Sequence, residues 1–398
     1  MVIKIIYLIR HGRPEMPGDG TYCIGRGSDP PLSSEGRKQA QALARCFEGL
    51  HFNKIYCSTL RRSRETAELL AAGRWPICQH EGLREISVGL WEGLPFDEIR
   101  AKYPEIYAAR GEDWSVIPPG GESLTEAAGR MEAAIKEIAA LPETTNHILA
   151  VTHDGAIRGL LWKIMKPDTK KDRMIRQPYG SITLLKYANG RLSVAAVGKL
   201  PEDYPSDEEI EQLWDSCETP ENVRDHCRAV CDEAMEICTK LKEAGVTLSQ
   251  EQLRAASLLH DMCRTNGKEH PKNAAKLLRE RGYLRVARIV ELHHGEERGL
   301  GLKDEVIDEA QVLYLADKRI QGIKKVTVEE RFQTSLEKCT TKEAKQRHNA
   351  RYREAKYIEA KINKRLNNIL EKTLKETNRR RLNEADQNGR SSRTSALS

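Results

Sequence analysis

No stretch of this 398-residue chain approaches the run of ~20 apolar residues that a membrane-spanning helix needs. The start, Met1-Val2-Ile3-Lys4, leads straight into a strand-like segment and lacks the parts of a signal peptide. The ten cysteines form no disulfide-like framework and no Cys-x-x-Cys pair. These absences together predict a cytoplasmic protein with reduced thiols and no membrane partner. Cys227, Cys231 and Cys238 lie at near-helical spacing and read as a helix face rather than a zinc site. No internal repeat is found. Excess positive charge is also missing from most of the chain. From Arg331 onward there are 18 Lys and Arg against 8 Asp and Glu, leaving 47 against 51 before it. The net charge of +6 therefore belongs to the tail. The mildly acidic body is not that of a nucleic-acid binder, and only the basic tail could touch RNA or DNA.

What is present divides the chain. Its length predicts two domains and a tail. Over residues 1–200, short apolar runs alternate with helical patterns, which predicts a doubly wound α/β domain. The runs are Val2 to Leu8, Lys54 to Ser58 and His147 to Thr152, followed by a hairpin over Ala188-Asn189-Gly190. Ser33 or Ser34 caps one helix, and Ser123 with Glu126 caps another. Residues 201–220 are acidic and proline-punctuated and read as a linker. Residues 221–328 show only helical patterning and form an all-α domain. Residues 329–398 form a basic tail, whose charge reads as a solvated surface. Within it, 342–376 is one long charged helix with Ile358, Ile362, Leu366 and Ile369 on one side, and 379–398 is disordered.

The first domain is organised around Ile9-Arg10-His11-Gly12-Arg13, where the first buried strand ends at a glycine. Open α/β sheets bind ligands at such strand ends. Histidine is a nucleophile at neutral pH, and arginine grips phosphate oxygens in bidentate fashion. Arg62 follows the second strand, and His153 ends a later one. Two guanidinium groups and a second imidazole would neutralise the oxygens of a transferring phosphoryl group. Glu85 is the candidate acid for the leaving alkoxide, given a raised pKa. Arg13, Arg26 and Glu122 are candidates for substrate contacts.

Several stretches resemble, in order, the histidine phosphatase (phosphoglycerate-mutase-like) superfamily. They are Arg10-His11-Gly12, Asp29-Pro30-Pro31-Leu32-Ser33, Ser58-x-Leu60-x-Arg62, Leu83-x-Glu85, Gly120-Gly121-Glu122-Ser123 and Thr152-His153. The branch most similar includes α-ribazole phosphatases and broad-specificity phosphatases. The resemblance implies a three-layer α/β fold and a metal-free, cofactor-free phosphatase. His11 would be its phosphohistidine nucleophile, Arg10, Arg62 and His153 its phosphate pocket, and Glu85 its proton donor. The chain departs from the pattern at Arg13-Pro14 and at Asp154, positions that bear on substrate choice. It also lacks the longer insertions of the mutase subgroup, which favours hydrolysis over phosphoryl transfer.

The helical domain is rich in metal-ligand side chains: His226, His260-Asp261, His270, His293-His294 and Asp317. Imidazoles and carboxylates suit a divalent transition metal such as Fe, Mn, Co, Ni or Zn. Asp261 and Asp317 each follow a strongly apolar run and are expected to be buried, where carboxylates are paired or bind metal. The order of these residues resembles the HD superfamily of metal-dependent phosphohydrolases over about residues 220–325. That implies His226, His260, Asp261 and Asp317 around a first metal, with His270 and His293 completing a second. His294 is the weaker member of its pair.

The reading is a bifunctional phosphohydrolase acting on small phosphorylated metabolites or nucleotides. Two alternatives stand beside it: a phosphatase carrying a non-catalytic, nucleotide-sensing helical domain, and a phosphomutase.

Overall fold

A computed structural model describes residues 3–113, 115–142, 144–166, 175–294, 306–337 and 339–367, apart from the Lys268 side chain. The stretch 379–398, expected to be disordered, lies outside the described residues, as does the end of the long charged helix beyond 367. The chain forms two compact units, Met1–Asp203 with Lys276–Arg288, and Tyr204–Ala275 with Ile289–Ser398. Among the described residues no helix is long and apolar enough to cross a membrane.

The first unit is built on a six-stranded mixed sheet. Its strands are β1 (Lys4–Arg10), β2 (Ile55–Cys57), β3 (Ile77–Gln79), β4 (His147–Thr152), β5 (Ile182–Ala188) and β6 (Arg191–Lys199), in the order β3-β2-β4-β1-β5-β6. β3, β2, β4 and β1 run parallel, and β5 and β6 form an antiparallel hairpin on the β1 edge. β1 is apolar on both faces because both faces are covered. Ile6 and Leu8 pack with Met131 and Ile135 of α5 (Leu124–Ala140) and Ile157 and Leu160 of α6 (Asp154–Met165). Tyr7 and Ile9 point the other way, to Leu43 of α1 (Ser34–Cys46) and Ala67 and Leu70 of α2 (Arg61–Ala71). Burying each such side chain contributes about 1.5–3 kcal/mol. The result is a three-layer α/β fold. Ser33 caps α1, and Ser123 with Glu126 forms a capping box on α5. Two short helices, α3 (Phe96–Lys102) and α4 (Pro104–Glu112), complete the unit around Pro104.

The second unit is helical: α7 (Asp207–Ser216), α8 (Glu221–Glu243), α9 (Gln250–Leu259), α10 (His270–Glu280), α11 (Leu284–Leu292), α12 (Glu309–Lys318), α13 (Val328–Leu336) and α14 (342–367). Lys276–Arg288, from α10 into α11, belongs to the first unit. A two-residue hairpin, β7 (Ile320–Gln321) and β8 (Lys324–Lys325), follows α12. Three readings change here. The 201–220 stretch is not irregular, because α7 forms on a Ser206/Glu209 capping box and buries Ile210, Leu213 and Trp214. The acidic residues that suggested a linker are its outer face. The three-residue strand β3 was not foreseen, since so short a segment carries no periodicity of its own. The basic helix α14 is not a solvated appendage: Ala355, Ile358 and Ile362 are buried, and Tyr314 Oη donates to the Arg351 carbonyl (3.0 Å). All ten cysteines are free, and Cys227, Cys231 and Cys238 lie on the buried face of α8.

Candidate functional sites

β1 and β4 are adjacent and parallel, with Arg10 level with Thr152. The next residue of each strand is therefore a histidine beside a histidine, and the His11 amide donates to the Thr152 carbonyl (3.0 Å). The two imidazole centroids are 4.9 Å apart, and both side chains are buried. Gly12 and Gly36 make the sharp turn after His11 possible. A β-carbon on Gly12 would strike the Gly36 backbone, and one on Gly36 would strike Arg13.

His11 is held in a single tautomer. Its Nδ1 lies 2.7 Å from the Gly12 carbonyl, which can only accept, so Nδ1 carries the proton. Nε2 is then the lone-pair nitrogen, and it accepts from Arg62 Nε at 3.1 Å. Arg62 is fully buried, its other nitrogens donating to the carbonyls of Ser28 (2.9 Å) and Gly25 (2.8 Å). Burial, and then the charges of Arg62 and Arg10, hold the His11 pKa well below the ordinary histidine value. Burial and Arg62 do the same to His153, whose two ring nitrogens have no hydrogen-bond partner. Arg10 donates to the Gln177 carbonyl, and its guanidinium lies 3.8 Å from the Tyr179 ring centroid.

Glu85 sits at the start of α6, accepting from the amides of Gly155 (3.2 Å), Ala156 (3.0 Å) and Ile86 (2.9 Å). Those donors favour the carboxylate. Burial and the nearby Asp154 charge outweigh them, and the Glu85 pKa is raised. Arg10, His11, Arg13, Arg62, Glu85 and Asp154 all line one cavity of about 410 Å³. Arg13 reaches Glu35 across 2.9 Å. Arg26 and Glu122 are not among its lining residues. Glu122 accepts from Arg130 (3.1 and 3.2 Å) and from the Ser87 amide, and Arg26 is 3.6 Å from it. Sequence reasoning missed Tyr179 and Gln177, which lie in a loop without a motif. It passed over Asp154 as a departure, although the side chain lies 4.0 Å from Arg10 and 2.8 Å from Arg158.

In the second unit the ligand candidates converge into two groups: His226, His260 and Asp317, and Asp261, His270, His293 and His294. Asp261 faces both. One carboxylate oxygen is 3.8 Å from His260 Nε2, and the other lies 2.8 and 3.6 Å from the Nε2 atoms of His270 and His293. Asp317 lies 3.3 Å from His226 Nε2 and 3.9 Å from His260 Nε2. Each of four imidazoles directs Nδ1 at a backbone carbonyl: His226 at Gly322 (2.7 Å), His260 at Ser257 (2.8 Å), His270 at Gly267 (2.6 Å) and His293 at Val290 (2.6 Å). All four therefore turn Nε2 toward the carboxylates, the outer-shell pattern that orients metal-bound histidines. The Nε2 atoms of His260 and His293 are buried with no hydrogen-bond partner. Two orphaned lone pairs beside two buried carboxylates fit a divalent cation. Burial opposes ionisation of Asp261, yet positive charge on the imidazoles that face it, His260 first and then His270 and His293, or on a cation held among them, sets its pKa far below the carboxylate range. Asp317 is likewise held low against burial, by Lys318 and His226. Burial lowers His260 to about 4.

Residues 6–199 match the histidine phosphatase superfamily (branch 1), and residues 223–320 match the HD domain. The chain is thus a branch-1 histidine phosphatase domain fused to an HD domain. HD domains are typically metal-dependent. Among curated relatives, chicken 6-phosphofructo-2-kinase/fructose-2,6-bisphosphatase is 31% identical over 185 residues, covering 46% of this chain and 37% of that protein. Rat 6-phosphofructo-2-kinase/fructose-2,6-bisphosphatase 1 is 34% identical over 161 residues, covering 40% and 32%. The chain spans about a third of the length of these curated relatives. Similar solved structures include a putative α-ribazole-5'-P phosphatase from Escherichia coli, 26% identical with a TM-score of 0.43, covering 48% of this chain and 94% of that one. A mycobacterial glucosyl-3-phosphoglycerate phosphatase is 28% identical with a TM-score of 0.43, covering 48% and 98%.

Proposed function

We propose that the protein is a cytoplasmic, bifunctional phosphohydrolase. Its first domain hydrolyses a phosphate monoester through a phosphohistidine at His11, without metal or cofactor. Its HD domain hydrolyses a phosphoester or phosphoanhydride of a small, nucleotide-like substrate with the aid of a divalent transition metal. The observation that carries the first activity is the fixed tautomer of His11: Nε2 is its unprotonated nitrogen, held by Arg62 Nε until a phosphoryl group takes that donor's place, and His11 lines one cavity with Arg10 and Arg62.

In the proposed reaction, Arg10, Arg62 and His153 bind the phosphoryl oxygens. His11 Nε2 attacks phosphorus as the bond to the leaving oxygen breaks, and protonated Glu85 gives its proton to that oxygen. A water then attacks the phosphohistidine, Glu85 takes the water's proton, and His11 is released as the neutral imidazole. A pKa lowered by burial and two guanidinium groups keeps His11 unprotonated and able to attack. The curated relatives that support this reading carry fructose-2,6-bisphosphatase in their names. Arg13 lines the cavity and is the better placed of the three substrate-contact candidates. Arg26 and Glu122 are proposed to shape the neighbouring loop. Acid-labile, base-stable label on His11 after quenched turnover would support the reading. Full hydrolysis by His11→Ala would refute it, and label passed to a second substrate hydroxyl would indicate a mutase.

In the HD domain, His226, His260 and Asp317 would hold one metal, and Asp261, which faces both groups, would share in it. His270 and His293, with His294 beside them, would hold a second across Asp261. A metal so held lowers the pKa of a bound water and polarises the phosphoryl group. The chain's own residues orient that chemistry: four backbone carbonyls fix the imidazoles, and Lys318 sits 2.5 Å from Asp317, where it can meet an anionic substrate. Metal analysis of the purified full chain against His260→Ala/Asp261→Ala tests the reading. Equal metal in both proteins would end it.

A further inference from the structure

In the proposed reaction the alcohol leaves at Glu85, and the chain that continues from Glu85 is apolar. Ile86 and Val88, with Met16, Tyr22, Ile24 and Phe96, line the same cavity as His11 and Arg62. They come from two loops far apart in sequence that are tied together along the backbone. The Cys23 amide donates to the Leu94 carbonyl (2.9 Å), the Gly93 amide to that of Cys23 (2.8 Å) and the Phe96 amide to that of Thr21 (3.1 Å), and Tyr22 is bridged to Pro95. Glu92 adds two further ties, accepting from the amides of Gly25 (2.8 Å) and Gly27 (2.9 Å). The apolar wall is thus held by the chain's own backbone, and little ordering is left for binding to do.

The charges of the cavity are uneven. Arg10 and Arg62 belong to the phosphate pocket. Among the other described lining residues the one cation is Arg13, and it is paired at 2.9 Å with Glu35, which lines the cavity too. Asp154 brings a carboxylate to the same lining, 4.0 Å from Arg10 and 2.8 Å from Arg158. Arg158 is not among the lining residues, so the cavity gains the carboxylate without its cation. Once one phosphoryl group has taken up Arg10 and Arg62, a second phosphate meets Asp154 and finds no cation set aside for it.

We propose that the phosphatase domain selects the monoester of an uncharged, apolar alcohol and turns away substrates that carry a second phosphate. Phe96 and Asp154 are the residues that set this choice. Phe96 covers the apolar part of the alcohol in a cavity of about 410 Å³, and Asp154 repels a second anion. This deepens the phosphohistidine reading above and rests on it for the reaction, though not for the binding.

The test compares alkyl esters, so that the leaving alkoxide is nearly constant. The full chain is assayed with ethyl, 2-phenylethyl and propyl phosphate and with propane-1,3-diyl bisphosphate. The kcat/KM for the phenylethyl ester should exceed that for the ethyl ester by roughly tenfold or more. The bisphosphate should fall about tenfold below the propyl ester, and the gap should narrow as salt is raised. Phe96→Ala should lower the phenylethyl-to-ethyl ratio and Phe96→Leu should recover part of it, whereas a purely structural role would lower both esters alike. Asp154→Asn should bring the bisphosphate closer to the propyl ester. Binding is read separately, by calorimetry with 2-phenylethylphosphonate and ethylphosphonate, which have no ester bond to break. The phenylethyl compound should bind more tightly, and Phe96→Ala should shrink the difference. If the phosphonates keep this order while ester hydrolysis survives in His11→Ala, the phosphohistidine reading fails and the wall stands. Should Phe96→Ala not fold, Phe96→Leu and the phosphonate pair replace it. Equal kcat/KM for the phenylethyl and ethyl esters, a ratio that the Phe96 variants do not move, or a bisphosphate hydrolysed as well as the propyl ester overturns the proposal.

Discussion

Both domains place imidazoles among charged neighbours, and the sign of those neighbours separates them. In the phosphatase domain the neighbours of His11 are Arg10 and Arg62, and burial with their charges keeps the ring neutral. In the HD domain the neighbours of His260 are Asp261 and Asp317, which draw positive charge toward the cluster. Each ring is set by the same device, an Nδ1–H donated to a backbone carbonyl, which leaves Nε2 as the working atom. A cationic cage suits an anionic phosphoryl group directly, whereas a carboxylate cage must first take up a cation. The two halves can thus be separated experimentally.

The sharpest separation comes from the nucleophile. His11→Ala should lower phosphomonoesterase turnover at least ~10³-fold and leave the metal content of purified protein untouched. Asp261→Ala should do the reverse, lowering bound transition metal ~100-fold or more, by elemental analysis, while phosphomonoesterase activity holds. An effect of either change on the other domain's readout would break the contrast.

Glu85→Gln should cost ~10²–10³-fold in kcat with an alkyl phosphate, and much less with a nitrophenyl phosphate, whose leaving group needs no proton. The sign of its pH dependence follows from its raised pKa. The acid form donates, so kcat with an alkyl phosphate should fall as pH rises through that pKa, and the variant should lose this alkaline limb. The acid limb reports protonation of His11. It should lie below the ordinary histidine value near 6.5, because burial and two guanidinium groups lower that pKa. The smallest effect is that of Asp154→Asn. Asp154 helps raise the Glu85 pKa, so its removal should move the alkaline limb to lower pH in the kcat profile.

Legibility differed between the domains as well. Around the first site the residue order was informative, because each functional candidate ends a strand or starts a helix. Arg10-His11, Arg62 and His153 do so: Arg10, His11 and Arg62 line one cavity with Glu85, and His153 lies buried beside the His11 ring. Tyr179 gave no local signal, since its place under Arg10 depends on how a loop returns across the sheet. In the HD domain the residue types were legible and their grouping was not. Asp261 was assigned to one ligand set, and the fold turns its two oxygens toward both. The basic helix was the least legible element. Its charge suggested a solvated tail, while Ile358 and Ile362, noted as a stripe, cover the helical core.

From sequence alone came the strand that ends at His11, the capping boxes, and the stock of histidines and carboxylates in the second half. These depend on local geometry: residue periodicity, short-range hydrogen bonds and the freedom of glycine. The tertiary structure decided which imidazole nitrogen is free, which carboxylate is shared, and which loops meet to wall the phosphatase cavity. Those outcomes depend on partners far apart in sequence, such as His226 Nδ1 and the Gly322 carbonyl, and no local pattern carries that information.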